Sequence, residues 1–479
     1  MDDMTEHPTR LRPLTLVLFS VLALAALLRL WGLTSFPLMQ DELYTLHDAT
    51  DFWNDPKYSR PLYYIVQNLL LRLDLPTILL LRVPPFLFGL LGVWVTWKLG
   101  RRWFGSVAGL VAAFLVAVSP WHVFASQFAR YWSLVYVLVA LLYLILPVAL
   151  ERDRAGGYLA VLATIVAAGL SHPTALFPLP GILVAVLLVS DGGRLGWRWP
   201  TKNAWLYLWG PLVICAIGGF IAARTFGVYS GVPQGRGPQA TLRLVFAMVQ
   251  WLSPVVVVAA ALAVVLLARR PSDRRPAAIA IFGVASAVAA LLLASTRAAT
   301  YADYGIAVLP LVYVTIGGAV QRTADMVPSV SRALACGLTL IIATGTAPEL
   351  ASHLVDGTRF DFRPALAYIQ RSAPERLVLT WPTVEALYYA PQLQIRGLRL
   401  NPNFLETTLE ATDGFWLLTR HRRYGLVDPR PGARAWIGDH CRTVLTTEKL
   451  RFDFRVYRVE LAWCGGDRPP EAPASAVEP

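Results

Sequence analysis

Residues 14–44 read LTLVLFSVLALAALLRLWGLTSFPLMQDELY, and this stretch decides the fold class. Its apolar part, residues 14–31, holds one charged side chain, Arg29, and is close to the roughly 20 residues that a helix needs to cross a bilayer. It lacks the small-residue cleavage site of a secretory signal, and many further apolar blocks follow it. We therefore interpret residues 14–31 as a first transmembrane helix that leads into a polar segment with two adjacent carboxylates, Asp41 and Glu42.

The composition of the whole chain agrees with a membrane protein. Of its 479 residues, 56% are hydrophobic and 15% are charged, whereas soluble domains carry about 25% charged residues. The high apolar fraction also excludes a disordered chain. Apolar blocks fall near residues 14–32, 76–97, 104–119, 132–150, 157–170, 173–190, 203–223, 243–268, 277–295, 304–321 and 332–347. These blocks predict a polytopic α-helical membrane protein with about eleven transmembrane helices.

The net charge of +12 is concentrated in the apolar part of the chain. Residues 1–347 hold 26 lysines and arginines against 15 acids, and residues 348–479 hold 17 against 16. Because the basic residues flank apolar blocks, membrane topology and anionic lipids explain them better than nucleic acid does. The excess of lysine and arginine in alternate loops predicts a cytoplasmic N-terminus, and an odd number of spans then places the C-terminal part outside the cytoplasm.

Three regions follow from this pattern. Residues 1–347 form the predicted transmembrane module, and its long first outer loop, residues 33–75, is predicted to carry amphipathic helices over 41–55 and 61–73. Residues 348–465 are predicted to form a small α/β domain outside the cytoplasm, and residues 466–479 a disordered tail. Within the α/β domain we expect strands over 376–381, 414–419 and 452–460 and a helix over 364–372.

Cysteine usage bears on the compartment of the C-terminal region. Cys441 and Cys464 are the two cysteines of this region, and the pattern contains no metal-binding spacing. If the region lies outside the cytoplasm, these two residues can form a disulfide. The sequence leaves open whether they do.

The adjacent acids Asp41 and Glu42 are the strongest candidates for catalytic residues. A carboxylate near a bilayer is costly, so it usually has a partner or a function. Asp41 at the mouth of a cleft would take a proton from an acceptor hydroxyl as a general base. Glu42 would orient it or bind a divalent cation. The alternative is a solvated acidic pair that caps a helix.

Four arginines lie near the predicted outer membrane face. Guanidinium groups bind phosphate through a planar, bidentate fork, so several of them around one cleft would hold a lipid phosphate. The alternative is that each one reaches lipid headgroups. The four candidates are Arg60, Arg82, Arg130 and Arg297.

Three other side chains are candidates for substrate binding. His172 lies between two apolar blocks and would hydrogen-bond a sugar or a phosphate, although a satisfied turn histidine explains it as well. Tyr63 and Tyr64 would stack on sugars, whereas an aromatic belt at the membrane interface is the alternative. The sequence has no phosphate-binding P-loop, no nucleophile elbow and no HExxH zinc motif, which argues against a nucleotide-driven enzyme.

Short motifs occur in a characteristic order along the first half of the chain. They are DELY at residues 41–44, RPLYY at 60–64, LRVP at 81–84, SQFARYWS at 126–133 and SHP at 171–173. Together they resemble the membrane glycosyltransferases of the GT-C class. The resemblance is to glycosyltransferase family 39, with its protein mannosyltransferase-like and lipid A aminoarabinose transferase-like members.

The resemblance implies a GT-C fold and a glycosyltransferase of the inner (plasma) membrane. Such an enzyme moves a sugar from a polyprenyl-phosphate donor to a hydroxyl of a lipid, glycan or protein acceptor on the extracytoplasmic face. By resemblance Asp41 is the general base, and Glu42 supports it or helps to hold a divalent metal cation. Arg82 and Arg130 bind the donor phosphate, and Arg60 assists them. Apart from this cation, the resemblance implies no cofactor.

Two departures from the family pattern keep a non-catalytic role open, and a transport role is a separate alternative. Phe128 stands where relatives often have a glutamate, and Asp303 precedes Tyr304 where relatives often have an arginine. Arg297 would compensate for the second change. The alternatives are a transporter or flippase for a polyprenyl lipid, and a non-catalytic protein of cell-envelope assembly that keeps the fold.

Overall fold

The computed structural model describes residues 11–54, 60–188, 196, 199–214, 238–296, 300–422, 431–447, 457–466 and 469–470. The chain divides into two compact units. The first contains residues 1–31 and 48–350, and the second contains residues 32–47 and 351–479. The segment Gly32–His47, which the sequence placed with the transmembrane module, thus packs with the C-terminal unit.

The first unit is helical. Its helices, numbered in chain order, are α1 (Leu11–Leu30), α2 (Gln40–Thr50, shared with the second unit), α3 (Pro61–Leu70), α4 (Thr77–Phe104), α5 (Ser106–Ala117), α6 (Pro120–Gln127), α7 (Trp132–Arg152), α8 (Ala155–Ser171), α9 (Leu179–Leu188), α10 (Pro238–Leu252), α11 (Pro254–Ala268), α12 (Arg274–Ser295), α13 (Leu309–Asp325), α14 (Ser331–Thr344) and α15 (Ala347–Asp356, which crosses the boundary of the units). Helical segments at 202–209 and single 3₁₀ turns complete it. The two predicted loop helices are present as α2 and α3.

Several helices have the length and composition of membrane spans. Four of them qualify within the described ranges, and the number rises to seven if each bent helix pair forms one span. The long helices are Thr77–Phe104, Trp132–Arg152, Pro271–Ser295 and Ala302–Asp325. A multi-pass helical membrane protein is therefore confirmed. The count of eleven spans stays a prediction, since part of the apolar block at 203–223 lies outside the described residues.

Two predicted spans are part of bent helix pairs. The block at 104–119 contains α5, and α6 follows beyond the block after a bend of 61°. The block at 243–268, predicted as one span, consists of α10 and α11 with a bend of 86°. Ser253 adopts a positive φ of 72°, and its side chain accepts the N–H of Val255. The following Pro254 has no N–H to continue the helix. Because the apolar run continues through this point, hydropathy alone does not reveal the break.

Small residues allow close helix packing in the first unit. A Cβ atom on Gly100 of α4 would lie 2.9 Å from the Cα of Gly109 in α5. A Cβ atom on Gly317 of α13 would lie 2.4 Å from the carbonyl oxygen of Ala108. Glycine lets these backbones approach as they do in other membrane helix bundles, and it fixes α4, α5 and α13 against each other.

The second unit contains a five-stranded mixed sheet. Its strands are β1 (Val378–Thr380), β2 (Ile395–Gly397), β3 (Phe415–Arg422), β4 (Cys441–Thr447) and β5 (Tyr457–Cys464), and their order is β2-β1-β3-β5-β4. β1 is parallel to β2 and β3, and β5 is antiparallel to β3 and β4. The helices of the unit beyond α15 are α16 (Arg363–Ser372), α17 (Thr383–Tyr389), α18 (Pro402–Thr412) and α19 (Pro431–His440).

Apolar side chains alternate between the two faces of this sheet. Trp416 and Leu418 belong to the core on one face, and Phe415 and Leu417 belong to the core on the other. The predicted strands at 376–381 and 414–419 contain β1 and most of β3. Residues 452–456 of the third predicted strand lie outside the described residues, and its remaining part begins β5. The predicted helix at 364–372 is α16.

The disulfide that the sequence left open is present. It joins Cys441 at the start of β4 to Cys464 at the end of β5, and the two residues are also register partners in the sheet. Most of the tail predicted to be disordered, residues 466–479, lies outside the described residues.

Candidate active-site residues

The two adjacent acids at the start of α2, in the second unit, differ in solvent exposure. Asp41 is exposed, whereas Glu42 is fully buried. Successive residues of a helix point about 100° apart, so the shared position in the sequence does not give a shared environment. Asp41 is thus the acid that an incoming molecule can reach.

Glu42 is engaged inside the second unit. Its Oε2 accepts the N–H of Met39 at 3.1 Å and lies 3.4 Å from Nε of Arg359, whose side chain is also fully buried. The bond to Met39 is the return half of a capping box, in which an acid in the first turn accepts a backbone N–H from just before the helix. Glu42 therefore stabilises the beginning of α2.

The surroundings of Glu42 do not fit a metal ligand. The carboxylate faces a guanidinium, whose charge opposes a cation at the same oxygen atoms. No group of three or more histidine, cysteine, aspartate or glutamate side chains that could hold a metal ion occurs within the described residues. Glu42 therefore has the surroundings of an acid that stabilises a helix and not those of a metal ligand.

A third acid, Glu385 of α17, also lies at the start of α2. Its Oε1 accepts the N–H of Gln40 at 2.9 Å and lies 3.5 Å from Nη1 of Arg420. Nη2 of the same arginine donates to Oε1 of Gln40 at 3.1 Å. No motif marks Glu385 in the sequence, because its partners lie far away along the chain.

Burial of Glu385 changes its protonation. Desolvation raises its pKa to about 7, Arg420 opposes this rise, and the charge of Asp41 adds to it. Burial disfavours the charged form of a carboxyl group, and a nearby like charge acts in the same direction. Glu385 therefore changes its charge near neutral pH.

In the first unit, two of the predicted phosphate-binding arginines contact the same tyrosine, Tyr131. Nη1 of Arg60 donates to the hydroxyl of Tyr131 at 2.9 Å, and the Arg60 guanidinium lies 5.1 Å from the centre of that ring. The guanidinium of Arg130 lies 5.3 Å from the same ring, and its Nη1 donates to the hydroxyl of Tyr64 at 3.3 Å. Both arginines are partly exposed, so an anion can approach this pair of guanidinium groups.

His172 lies against the same tyrosine. Its ring stacks on Tyr131 with centroids 4.7 Å apart and an interplanar angle of 15°. In the turn between α8 and the next helical segment, its Nδ1 accepts the N–H of Thr174 at 3.3 Å. The pKa of His172 falls to about 3 because burial disfavours the charged ring and Arg60 and Arg130 repel it. The imidazole is therefore neutral. We call Arg60, Tyr64, Arg130, Tyr131 and His172 the Tyr131 cluster.

The other predicted site residues of the first unit are placed differently. Tyr63 is fully buried, and its hydroxyl accepts from Gln67, which also donates to the carbonyl oxygen of Leu81 in α4. Tyr63 thus supports the packing of α3 on α4 and meets Tyr131 edge to face at 6.2 Å. Arg82 follows Leu81 and is fully buried. Arg297 lies outside the described residues.

Sequence reasoning missed a buried arginine, Arg29, near the end of α1. Its guanidinium donates to the carbonyl oxygens of Val116 and Ala117 at 3.2 and 3.1 Å, to Nδ1 of His122 at 2.7 Å and to Ser126 at 3.2 Å. The last carbonyl groups of a helix lack partners within it. Arg29 therefore donates to the last carbonyl groups of α5, at the point where the chain turns into α6.

The two departures from the family pattern have aromatic surroundings. Phe128 is buried and stacks on Phe124 with centroids 4.8 Å apart. Tyr304, which follows Asp303, lies 5.3 Å from His172 and 5.4 Å from Trp132 between ring centroids. Tyr304 therefore extends the aromatic wall beside the Tyr131 cluster.

Comparison with known proteins finds a family model that matches part of the chain and solved structures of similar fold. Residues 56–218 match the family described as dolichyl-phosphate-mannose-protein mannosyltransferase. A comparison with curated proteins by sequence found no match.

Among solved structures, ArnT from Cupriavidus metallidurans in the apo state matches with a TM-score of 0.51 and 15% identity, over 94% of this chain and 98% of that one. The same ArnT bound to undecaprenyl phosphate matches with a TM-score of 0.49 and 15% identity, over 93% and 97%. An archaeal oligosaccharyltransferase, AglB from Archaeoglobus fulgidus, matches with a TM-score of 0.47 and 11% identity, over 84% and 69%.

Proposed function

We propose that the chain, whose residues 56–218 match the dolichyl-phosphate-mannose-protein mannosyltransferase family and whose fold is similar to that of ArnT, is a glycosyltransferase of the GT-C class. It would move a sugar from a polyprenyl-phosphate donor to an acceptor hydroxyl on the extracytoplasmic face of the inner membrane. The disulfide between Cys441 and Cys464 supports this location for the second unit, because disulfides persist in oxidising compartments. It also agrees with a cytoplasmic N-terminus and the charge pattern of the loops.

The observation that carries the proposal is the Tyr131 cluster. Two partly exposed guanidinium groups are held by tyrosine hydroxyls beside a neutral histidine. Guanidinium groups form strong charge-assisted hydrogen bonds with phosphate. Positioned before the reaction, they stabilise the charge that develops on a phosphate leaving group. We assign the donor phosphate to Arg60 and Arg130, with Arg82 and Arg297 as further candidates, and contact with the sugar to Tyr63, Tyr64 and His172.

Asp41 supplies the base in this proposal. Its carboxylate accepts the proton of the acceptor hydroxyl, and the acceptor oxygen forms a bond to the anomeric carbon of the sugar. The bond from that carbon to the phosphate oxygen breaks, and polyprenyl phosphate leaves with the bonding electrons. By analogy with the family, one direct displacement inverts the anomeric configuration. Glu42 supports Asp41 indirectly by stabilising the beginning of α2. No step is assigned to a metal ion.

Glycosyl transfer is the direct test. The purified protein in liposomes is incubated with a panel of polyprenyl-phosphate sugars and a membrane extract that contains acceptors, and released polyprenyl phosphate is measured. We expect release with the wild-type protein, none above background with Asp41→Asn, and strongly reduced release with Arg130→Gln. The matched control is Arg102→Gln, which removes an exposed arginine paired with Glu151 and should leave release unchanged.

The other outcomes separate the competing functions. Wild-type release by Asp41→Asn would contradict the role of this carboxylate. Movement of a labelled polyprenyl phosphate across the liposome membrane without release from any donor would identify a lipid transporter. Neither release nor movement, from folded protein, would favour a non-catalytic protein of envelope assembly. Chelation with EDTA during the same assay tests whether transfer needs a divalent cation.

A further inference from the structure

The backbone at the start of α2 is held by three side chains of the second unit, one from α2 itself and two from α17. The N–H of Leu38 donates to the hydroxyl of Tyr389 at 2.6 Å. The N–H of Met39 donates to Glu42, and the N–H of Gln40 donates to Oε1 of Glu385 at 2.9 Å. The first N–H groups of a helix have no partner within it. Here each of these three consecutive groups has a side-chain acceptor, and the next residue is Asp41.

We infer that Glu385 is a positioning residue for Asp41, because its carboxylate holds the first residue of the helix on which Asp41 is exposed. The inference rests on the proposed function, in which Asp41 is the general base. It gives the C-terminal unit a part in the reaction, since Glu385 lies in α17 and is 345 residues away from Gln40 in the sequence. Glu385 itself contacts neither donor nor acceptor in this scheme.

Gln40 is held by hydrogen bonds to both its backbone and its side chain. Glu385 accepts the backbone N–H, and Arg420 of β3 donates to the side-chain oxygen at 3.1 Å. Arg420 also lies 3.5 Å from Oε1 of Glu385 and 4.9 Å from the centre of the Trp381 ring. Because these groups interlock, a change at Glu385 is expected to loosen the whole first turn of α2 and to misplace Asp41.

Burying the charged form of a carboxyl group at this position costs free energy, and a function for the charge would explain why the residue is a glutamate. Glu385 is 2% exposed, and its Oε2 has no hydrogen-bond partner within the described residues. A glutamine would accept the N–H of Gln40 without the cost of burying a charge. Two charged groups face Glu385, namely Arg420 from β3 and Asp41 from α2. Burial and the charge of Asp41 both raise the pKa of Glu385, and Arg420 opposes them.

Two substitutions separate positioning from charge. Glu385→Ala removes the acceptor of the Gln40 N–H, whereas Glu385→Gln keeps an oxygen acceptor and removes the charge. We expect Glu385→Ala to lower kcat about 10- to 100-fold, as small misplacements of a reacting group do, with an unchanged KM for the donor. We expect Glu385→Gln to keep more activity and to lose the step near pH 7 in the pH profile of kcat. Glu410→Ala, at an exposed glutamate of α18, is the matched control.

Hydrogen–deuterium exchange gives a readout that does not depend on activity. Amide exchange of a peptide covering residues 38–44 is compared in the full-length wild-type protein and in the three variants. We expect faster exchange in Glu385→Ala and exchange close to wild type in Glu385→Gln and Glu410→Ala. Retention of the disulfide and of the elution volume in detergent verifies that the variants fold.

These measurements distinguish failure of the inference from failure of the proposed function. Wild-type exchange in Glu385→Ala would overturn the inference, and so would a wild-type kcat in that variant when Asp41→Asn is inactive. Full activity of Asp41→Asn would overturn the role of Asp41 as the base, and with it the positioning of a base by Glu385. If the wild-type protein transfers no sugar, the proposed function fails, and exchange alone shows whether Glu385 holds α2.

Discussion

Glu42 and Arg359 form a fully buried ion pair in the second unit, with 3.4 Å between Oε2 of the glutamate and Nε of the arginine. The neighbouring Asp41 is exposed. Two adjacent carboxylates of one motif thus have different environments, since Glu42 is held inside the unit and stabilises the start of α2, whereas the side chain of Asp41 faces outward. The guanidinium of Arg359 also donates to the carbonyl oxygen of Gly357 at 3.0 Å, which fixes its position.

The first prediction concerns this ion pair. Glu42→Gln removes the carboxylate that faces Arg359, and breaking a buried pair from one side costs about 3–5 kcal/mol. We expect the free energy of unfolding of the second unit to fall by about that amount. Chemical denaturation followed by tryptophan fluorescence measures it. Asp41→Asn, at an exposed position next to it, should change the stability by less than about 0.5 kcal/mol. Equal stability of the two variants would contradict the prediction.

The second prediction concerns the hydroxyl of Tyr131. Tyr131→Phe removes the acceptor of the Arg60 N–H but keeps the ring that stacks on His172. A lost hydrogen bond of about 1 kcal/mol corresponds to roughly a fivefold change in an equilibrium constant. We expect the KM for the polyprenyl-phosphate sugar to rise by about this factor, because Arg60 loses its fixed orientation. Steady-state kinetics of the liposome assay measures the change.

A comparison with two further variants tests this explanation. Arg60→Gln should raise the KM for the donor more than Tyr131→Phe does, since it removes the charge as well as the bond. The double variant should resemble Arg60→Gln alone, because the tyrosine hydroxyl acts through the arginine. Additive effects of the two substitutions would show that Tyr131 acts on the donor by another route.

Local features of the sequence predicted much of this protein. Long apolar runs predicted the helices of the first unit. The resemblance assigned Arg60, Arg82 and Arg130 to the donor phosphate, and two of these, Arg60 and Arg130, lie against the same ring of Tyr131; their role stays a prediction. The exposure of Asp41 and the burial of Glu42 were beyond prediction, because they depend on the rotation of α2. The bend between α10 and α11 was missed because an apolar run continues through Ser253 and Pro254.

Contacts between distant parts of the chain could not be predicted in this way. Glu385 and Arg359 are unremarkable in sequence, and their importance comes from the segment Gly32–His47, which packs with the C-terminal unit. Arg29 lies within an apolar block that predicted only a transmembrane helix, so its buried contacts could not be predicted. Each of these side chains has partners more than 85 residues away, and such pairings follow from the tertiary structure alone.

The third prediction concerns pH and stability. The pKa of Glu385 is about 7 in the folded protein against an ordinary value of 4.5. The folded state therefore binds more protons than the unfolded state between these values, and the contribution of Glu385 to stability falls as pH rises from about 4.5 to about 7. The total loss is on the order of 3 kcal/mol. It is complete above the folded pKa.

Comparison with Glu385→Gln isolates this contribution, because every other titrating group is shared. Relative to the variant, the wild-type protein should lose stability steadily between pH 4.5 and pH 7 and stay level at higher pH. Thermal unfolding in detergent at a series of pH values measures the difference. A difference that does not vary with pH would show that Glu385 has the same charge in both states throughout this range.

The last prediction concerns Arg29, which joins α1 to the break between α5 and α6. Its planar guanidinium donates in several directions at once, to the carbonyl oxygens of Ala25, Val116 and Ala117 and to the side chains of His122 and Ser126. A lysine has one nitrogen atom and cannot reproduce this geometry. We expect Arg29→Lys to remove the side-chain donor of the buried Ala117 carbonyl group and the bonds to His122 and Ser126. Each loss costs about 1–3 kcal/mol, so the yield of folded protein should fall sharply.

Ser126→Ala is the graded control for this prediction. It removes one acceptor of Arg29 and leaves the bonds to the carbonyl oxygens in place, so a loss of about 1 kcal/mol is expected. The thermal midpoint and the fraction of monodisperse protein after purification rank the wild-type protein, Ser126→Ala and Arg29→Lys in that order. Because α6 leads directly to Arg130, the milder Ser126→Ala should also weaken donor binding slightly. Equal stability of Arg29→Lys and the wild-type protein would show that the helix break is held without the guanidinium.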